Sequence, residues 1–388
     1  MRSKTERNQG AVLVMAAVCM SLFFILLAIA IDIGYMHATK AELQHAADSA
    51  ALAGASGLAD ADPDPVGRAQ EYAEYNQAAK VNLDVPSEDV TVGWMENPID
   101  LHGEIETESG HDPNSVEVTT RRSSTVNGPL DLFLGAFTGL DSVNIATRAR
   151  AVLERRIIGF DAPEGGGEQT VSLMPFSILI DEWNDRIVNG NGEDTFIFTL
   201  TDHDHGTVAS GADTVPEIKM YPYPHNQGGN NPPGNFGTVD IGPGGNSTND
   251  LVRQILYGIS KDDLDAIDGE LDGEGRLILS EEDPITHQRY ILLEGDTGLS
   301  NAIKNALEQI IGHTRTILLH SEVQNPGNNA IFKIVGFERV VILEVHMTGN
   351  PKWVKVQPNG DTGNSTGTGV FDPDAPVSGT LFMVGLTR

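Results

Sequence analysis

The chain has 388 residues and a formal net charge of −30 at pH 7, with 55 Asp and Glu against 25 Lys and Arg. This acidity argues against binding to nucleic acid or to anionic lipid headgroups, because both partners require a basic patch. The only cysteine, Cys19, lies within an apolar run, so the fold is expected to rest on its hydrophobic core without an internal disulfide.

An apolar segment opens the chain. No charged side chain lies between Arg7 and Asp32, and roughly 20 apolar residues are enough to cross a hydrocarbon core of about 30 Å. Beyond Asp32 alanine dominates and no proline occurs before Pro63, which favours continued helix because alanine loses the least on entering one. We therefore expect residues 10–59 to form a transmembrane helix that continues beyond the bilayer as an Ala-rich stalk.

The same segment is predicted to be retained as a signal anchor. Its apolar core is longer than that of a cleaved signal, which spans about 7–15 residues, and helix-forming residues follow it. A prepilin-type signal is the second possibility, because Gly10 precedes the run, although Met15 stands where type IV prepilins need a glutamate. The three basic residues within 1–9 predict a cytoplasmic N-terminus and an exported remainder.

Small side chains recur along the stalk at three- and four-residue steps. They form a stripe made of Leu43, Ala46, Ala47, Ala50, Ala51, Ala53 and Gly54. A stripe of this kind lets another backbone approach closely, so it either packs on the protein's own outer domain or contacts another subunit. Asp32 follows the apolar core directly, where it is expected to be solvated or to pair with a basic residue of a partner.

A small α+β domain is predicted over 60–158. After a turn at Asp60–Pro65, the pattern predicts an amphipathic helix (Val66–Val81), two strands (Val90–Met95 and Val116–Arg121), a short helix LDLFLGAF after Gly128-Pro129, and a strand (Ser142–Arg155). The Gly-rich, acidic stretch 159–168 has no apolar periodicity and is predicted to be a linker.

A β-rich α+β domain is predicted over 169–388. Strands are expected at Val171–Ile180, Thr195–Thr201, Thr314–Leu319, Ala330–Ile334, Glu338–Val345 and Gly379–Leu386, and helices at 248–258, capped by Thr248 or Asn249, and Leu299–Ile311. Residues 221–250 form a long Pro/Gly/Asn-rich segment, and a loop of that length in a compact domain is usually functional or mobile. Because strands outnumber helices, the fold class predicted is α+β, with the long N-terminal helix and stalk leading into both domains.

Acidic residues at alternate positions offer a calcium site. Asp268, Glu270 and Asp272 have the spacing at which an EF-type loop begins. Gly275 and Leu279 stand where that loop needs an apolar residue and a glutamate. A solvated acidic turn is the alternative interpretation.

Two further motifs provide catalytic or metal candidates. Asp296-Thr297-Gly298 and Asp361-Thr362-Gly363 are triplets of the aspartic-protease type, but turn residues rather than a buried strand are expected before each Asp, which favours two turns. The run Asp202–His205, with His225 downstream, offers imidazole and carboxylate ligands to a transition metal. A polar turn between strands explains that run equally well, and the sequence contains no recognisable nucleophile, P-loop or dinucleotide motif.

The N-terminal module resembles a known family. The resemblance lies at Asp32-Ile33-Gly34-Tyr35, at Leu43-Gln44 and in the block 46–55 (AADSAALAGA). There this sequence is similar to TadG-like Flp pilus-assembly proteins, which have a membrane helix, an Asp-x-Gly turn of helix and an Ala-rich block. The resemblance implies a bacterial inner-membrane location and contacts with other Tad subunits. The interaction residues that it implies are Asp32, Gly34, Tyr35, Leu43, Gln44, Ala46, Ala47, Asp48, Ala50, Ala51 and Gly54.

Two outer segments are similar to longer members of the same family. They are Pro233–Gly237 with Asp240, and Ile334–Phe337. Some longer members carry a von Willebrand-type metal-dependent adhesion motif, Asp-x-Ser-x-Ser, and this sequence departs from them because it lacks that motif.

Together these features predict a non-enzymatic, single-pass component of a Flp/Tad-type (tight adherence) pilus assembly or secretion system that needs no cofactor. Its partners are expected to be the lipid bilayer and other Tad subunits, and its outer part is expected in the periplasm. The alternatives are a calcium-dependent surface adhesin or structural stalk protein, a minor pilin-like subunit, and a membrane-tethered hydrolase.

Overall fold

The structure is a computed structural model. It describes residues 4–59, 63–97, 103–135, 139–161, 170–202, 204–222, 234–243, 245, 247–267, 276–327, 329–349, 351–359, 369–372 and 383–387. The chain divides into two compact units, the first comprising Met1–Val152 with Gly385–Arg388 and the second Leu153–Val384. A long N-terminal helix and a β-rich remainder confirm the predicted α+β class.

The first unit is built on one long helix. Among its described residues the longer helices are α1 (Lys4–Ser56) and α2 (Pro65–Glu74), with short 3-10 turns at Gly57–Ala59 and Ser87–Asp89. Its strands are β1 (Gln77–Ala78), β2 (Val81–Asn82), β3 (Val90–Gly93), β4 (Ser115–Arg122), β5 (Leu130–Asp131), β6 (Ser142–Val143) and β7 (Ile145–Glu154). Asp64 caps α2 by accepting a hydrogen bond from the Gly67 N–H at 2.8 Å, and Pro65 occupies the first turn, where a missing N–H is harmless.

Helices α1 and α2 pack against a sheet. Strand β4 pairs antiparallel with β3 and with β7, so that Val116 lies opposite Ala151. The C-terminal strand, Met383–Thr387, joins the free edge of β7. The sheet contacts α1 directly, for example where the Thr120 hydroxyl donates to the Leu43 carbonyl at 2.8 Å.

Two predicted helices of this unit are corrected. The helix expected to reach Val81 ends at Glu74, because Ala79 and Lys80 adopt positive φ values of 50° and 64° and turn the chain into the β1–β2 hairpin. Of the expected helix LDLFLGAF, Leu130 and Asp131 are a strand, residues 133–134 are a turn and Gly135 is helical, while residues 136 and 137 lie outside the described residues. Leu130 pairs with Val143 and opens a hairpin instead.

The second unit contains most of the strands. They are β8 (Ile157–Asp161), β9 (Thr170–Val171), β10 (Leu173–Leu179), β11 (Phe196–Asp202), β12 (His205–Ser210), β13 (Ile218–Met220), β14 (Phe236–Val239), β15 (Ile259–Ser260), β16 (Arg276–Ile278), β17 (Glu281–Glu282), β18 (Arg289–Asp296), β19 (Thr314–Gln324), β20 (Ala330–His346), β21 (Trp353–Pro358) and β22 (Gly369–Phe371). The described helices are α3 (Ile180–Trp183), continued by a π-turn at Asn184–Val188, then α4 (Thr248–Tyr257), α5 (Lys261–Asp265) and α6 (Lys304–Gln309), preceded by a 3-10 turn at Asn301–Ile303.

Five strands of this unit close a ring. Strand β10 runs parallel to β19 and antiparallel to β14, β19 pairs with β20, and β20 and β14 both pair with β18. Phe332 is fully buried, and its ring lies so close to Gly237 and Gly295 that a Cβ on either glycine would meet it within 3 Å. Only glycine fits at these two positions.

Three predicted elements of this unit are corrected. The strands expected at Ala330–Ile334 and Glu338–Val345 are one strand, β20, because Gly336 keeps its place in the ladder opposite Leu319. The helix expected to be capped by Thr248 or Asn249 is capped by Ser247, whose hydroxyl accepts from the Asp250 N–H. The residues directly before Asp296 are expected to form a turn, but they lie on strand β18.

Candidate functional site at the base of the long helix

The first half of α1 is exposed and apolar. From Val12 to Ile31 the large side chains face outward, with Leu13 73% and Met15 68% exposed. These 20 residues span about 30 Å at 1.5 Å per residue, which is the thickness of a hydrocarbon core. In the part of the chain that the structure describes, this is the one helix long and apolar enough to cross a membrane, by length and composition.

Asp32 ends the apolar segment and is buried, at 3% exposure. Its carboxylate accepts hydrogen bonds from the backbone N–H groups of Phe133 (2.9 Å) and Leu134 (3.3 Å). The expectation that Asp32 is solvated, or pairs with a partner's basic residue, is therefore corrected. A buried carboxylate needs such donors, and the 130–143 hairpin supplies them.

The neighbours of Asp32 differ in their surroundings. The Tyr35 ring packs on the Phe133 ring with centroids 4.7 Å apart. Gly34 is exposed, and a Cβ built on it would meet nothing within 4 Å. Close packing within this unit therefore does not require a glycine at position 34.

The Ala-rich stripe is occupied by the protein's own sheet and by α2. Its members are fully buried or nearly so: Leu43, Ala46, Ala47, Ala50, Ala51 and Ala53, together with Ala55. A Cβ on Gly54 would lie 2.9 Å from Val116 Cγ1 and 3.0 Å from the Pro65 carbonyl oxygen. Of the two alternatives that the sequence left open, the structure shows self-packing, and the expectation that this stripe docks other subunits is corrected.

Polar side chains near the stripe form hydrogen bonds to other residues of the first unit. The Gln44 side-chain amide donates to Asp48 at 2.9 Å and to the Arg148 carbonyl at 3.1 Å. Arg122 is buried and donates to the carbonyls of Ala78, Gly128 and Pro129 at 2.9–3.0 Å. Sequence reasoning missed Arg122, since nothing local marks an arginine whose partners are backbone carbonyls of strand β1 and of the segment before β5.

The predicted metal and catalytic candidates come together only in part. Several candidates lie outside the described residues: the calcium candidates Asp268, Glu270 and Asp272, the second protease-type aspartate Asp361, and the histidines His203 and His225. Asp296 accepts a hydrogen bond from the Gly298 N–H at 2.7 Å and so forms a turn. Among the described residues no group of three or more His, Cys, Asp or Glu side chains is placed to hold a metal ion.

Two histidine contacts in the second unit were not predicted. The His205 and His313 rings lie 4.5 Å apart, and burial together with the nearby Arg315 charge lowers the pKa of His313. Ser177 Oγ and His320 Nδ1 are 2.8 Å apart, as in a nucleophile–base pair, but both residues are 0% exposed. Burial lowers the pKa of His320 to about 3, so this histidine is a neutral core residue that a substrate cannot reach.

A cavity of about 370 Å³ lies beside a buried ion cluster in the second unit. Lys355 donates to Glu217 at 2.8 Å and to Glu193 at 2.9 Å, and Lys219 donates to Glu193 at 2.6 Å. Burial acts to lower the pKa of Lys355, but the hydrogen bonds to both glutamates outweigh it and leave the pKa raised. The charged side chains bordering this cavity are thus engaged with each other.

The first unit defines a class of protein: an α+β body built onto a helix that is long and apolar enough to cross a membrane. Residues 10–57 match the family model described as "Putative Flp pilus-assembly TadE/G-like". This match confirms the resemblance that the Asp-x-Gly turn and the Ala-rich block predicted for the N-terminal module. No curated protein and no solved structure gives a match to the chain.

Proposed function

We propose that the protein is a membrane-anchored, non-enzymatic component of a Flp/Tad-type pilus assembly system. The observation that carries the proposal is the coincidence of the family match, at 10–57, with a helix whose apolar half is exposed. The module thus joins a membrane span to a folded outer body in one continuous helix.

The N-terminus lies in the cytoplasm, whereas the second unit and the part of the first unit that follows the apolar segment lie outside the inner membrane. Three basic residues precede the span against one acid, Glu6, and basic residues resist translocation. The remaining acids all follow the apolar run, so the exported part is strongly negative. This charge keeps it soluble and away from anionic surfaces.

A scaffolding role fits the chemistry of the described residues better than a catalytic one. The Ser177–His320 pair is buried, Asp296 accepts a hydrogen bond within a turn, and the Lys355 ammonium forms ion pairs with two carboxylates. Enzymes arrange perturbed groups in an accessible cleft, and these groups are used internally instead.

Contacts with other subunits are made by the apolar span and by the exposed start of the stalk. The Ala-rich stripe is occupied by the protein's own first unit, whereas residues such as Leu22 (56% exposed) and Gly34 remain open. Apolar helices associate in membranes by van der Waals packing where small residues allow close approach.

In-cell photocrosslinking tests this proposal. A photoreactive residue at position 22 or 34 is expected to capture other membrane proteins of the pilus system, whereas the same residue at the buried position Ala50 should give only crosslinks within the chain. Removal of the protein should abolish assembled pili, and the full chain should restore them. Normal pili without the protein, or crosslinks only to proteins outside the pilus system, would overturn the proposal.

A further inference from the structure

The described residues of the 130–143 hairpin, 130–135 and 139–143, present apolar side chains to the outside next to the end of the apolar segment. Strands β5 and β6 pair, and the Leu132 N–H donates to the Asp141 carbonyl at 2.9 Å. At its tip Phe133 is 68% exposed and Leu140 is 52% exposed. Single exposed apolar residues are common on protein surfaces, but two large ones close together on a short hairpin indicate a contact surface.

The hairpin is fixed in place at both ends. At its root, Arg122 donates to the carbonyls of Gly128 and Pro129. At its tip, Asp32 accepts from the N–H groups of Phe133 and Leu134. The Gly139 N–H also donates to the Gly135 carbonyl at 2.8 Å and so links the two described sides of the tip. The exposure of Phe133 is therefore built into a hydrogen-bonded structure.

The fixed contact sets the height of the tip along α1. Asp32 follows the 20 apolar residues that match the hydrocarbon core, and the Phe133 ring packs on Tyr35, one turn further out. The exposed apolar surface of the helix is thus continuous with the hairpin tip. Tyrosine at this height is typical of the aromatic belt at a membrane–water interface.

We propose that the hairpin tip inserts Phe133 and Leu140 into the outer interface of the bilayer, as a second membrane contact beside the helix. The occupant of this surface is lipid, because the surface extends that of the span and lies at the same height. Asp131 and Asp141 flank the tip and are exposed, so insertion is shallow and is driven by apolar burial rather than by attraction to anionic headgroups. This inference rests on the proposed membrane span.

Depth-sensitive labelling of the full chain in vesicles tests the inference. In a Cys19→Ser background, single cysteines replace Phe133, Leu140, Leu22 or Tyr75 and carry an environment-sensitive fluorophore. Leu22 reports the span, and Tyr75, which is 72% exposed on α2, is the matched aromatic control. The vesicles are phosphatidylcholine alone, or phosphatidylcholine with phosphatidylglycerol, and contain no other protein.

The expected result is a blue-shifted emission and a several-fold loss of quenching by aqueous iodide at positions 133 and 140, as at position 22, but not at position 75. The shift should not increase with phosphatidylglycerol. If positions 133 and 140 behave like position 75 while position 22 stays in lipid, the hairpin insertion is wrong and the span stands. If position 22 also lies in water, the span and the insertion both fail.

Discussion

At the scale of single residues, Gly54 sets how closely α1 approaches the rest of the first unit. A Cβ there would lie 2.9 Å from Val116 and 3.0 Å from the Pro65 carbonyl, whereas one on Gly34 would meet nothing. Gly54→Val is therefore expected to destabilise the unit by about 1–3 kcal/mol through overpacking. Gly34→Val changes helix propensity equally and is the control. Amide exchange of strand β4 in detergent measures the difference, and equal effects would contradict the packing described.

The Asp32 carboxylate holds the hairpin through two backbone amides. Asp32→Ala leaves both without their acceptor, and such a loss costs about 1–3 kcal/mol. We expect roughly 10- to 100-fold faster exchange of the Phe133 and Leu134 amides. Glu42→Ala is the reciprocal control, because Glu42 accepts from the Ala79 N–H at 2.7 Å, and it should speed exchange at Ala79 alone. Unchanged exchange at both hairpin amides in Asp32→Ala would count against the clamp.

His320 makes the stability of the second unit depend on pH. Its pKa is lowered from 6.5 to about 3 by burial, so below about pH 6.5 the unfolded state binds a proton that the folded state does not. The free energy of unfolding should then fall as pH falls, by about 1.4 kcal/mol per pH unit, until the folded state also binds that proton near pH 3.

Urea unfolding between about pH 4.5 and 6.5 measures this slope. In His320→Gln the free energy of unfolding should change with pH by about 1.4 kcal/mol per pH unit less than in the wild type, because one fewer proton is taken up on unfolding. Asp283, whose pKa is lowered chiefly by its hydrogen bond from Lys333, adds a slope of the same sign only at lower pH, near the usual aspartate value of about 3.9. Identical slopes in the wild type and in His320→Gln would show that the histidine titrates normally in the fold.

At the scale of elements, buried charges tie the β11–β12 hairpin to β21. Lys355 lies on β21, is 4% exposed in its side chain, and binds Glu217 and Glu193, while Thr195 at the start of the hairpin also accepts from it. Lys355→Met leaves Glu217 buried without its cation, which is expected to destabilise the unit by about 3–5 kcal/mol.

Adding Glu217→Gln to Lys355→Met should recover part of that loss, because the unpaired charge disappears. Lys304→Met is the matched control: its partner Glu308 lies one turn away on an exposed face, where such pairs contribute about 0.3–0.5 kcal/mol. Urea unfolding followed by the fluorescence of Trp353 compares the three variants. A Lys355→Met effect no larger than that of Lys304→Met would contradict the account of the cluster.

The elements that could be predicted are those whose signal is local. The apolar run and the alanines after it determine α1 almost entirely, and alternation of apolar residues located β4 and β7. The sequence predicts a short helix over LDLFLGAF, residues 130–137, where the structure has strand β5 and a turn before the helical Gly135. In the structure the Phe133 side chain faces outward and its amide binds Asp32, a contact across 101 residues that no local pattern encodes.

At the scale of the whole molecule, the outer fold depends on pairings between distant strands. The sequence predicts two strands, Ala330–Ile334 and Glu338–Val345, yet β20 is continuous because β19, β18 and β21 all pair with it. The Ala-rich stripe was predicted correctly as a close-packing surface, but its occupant, the protein's own first unit, depends on where β4 and α2 lie. Small side chains specify a close approach without specifying the partner.

The central claim is that the apolar half of α1 spans the inner membrane and that the acidic remainder of the chain lies outside it. Protease treatment of spheroplasts, followed by alkaline extraction of the membranes, tests this directly, with one epitope at the N-terminus and one near the C-terminus. We expect the C-terminal epitope to be lost to external protease, the N-terminal epitope to be protected, and the untreated chain to stay in the membrane until detergent is added. Full-length chain released without detergent, or recovered in the medium after cleavage near residue 30, would contradict the account.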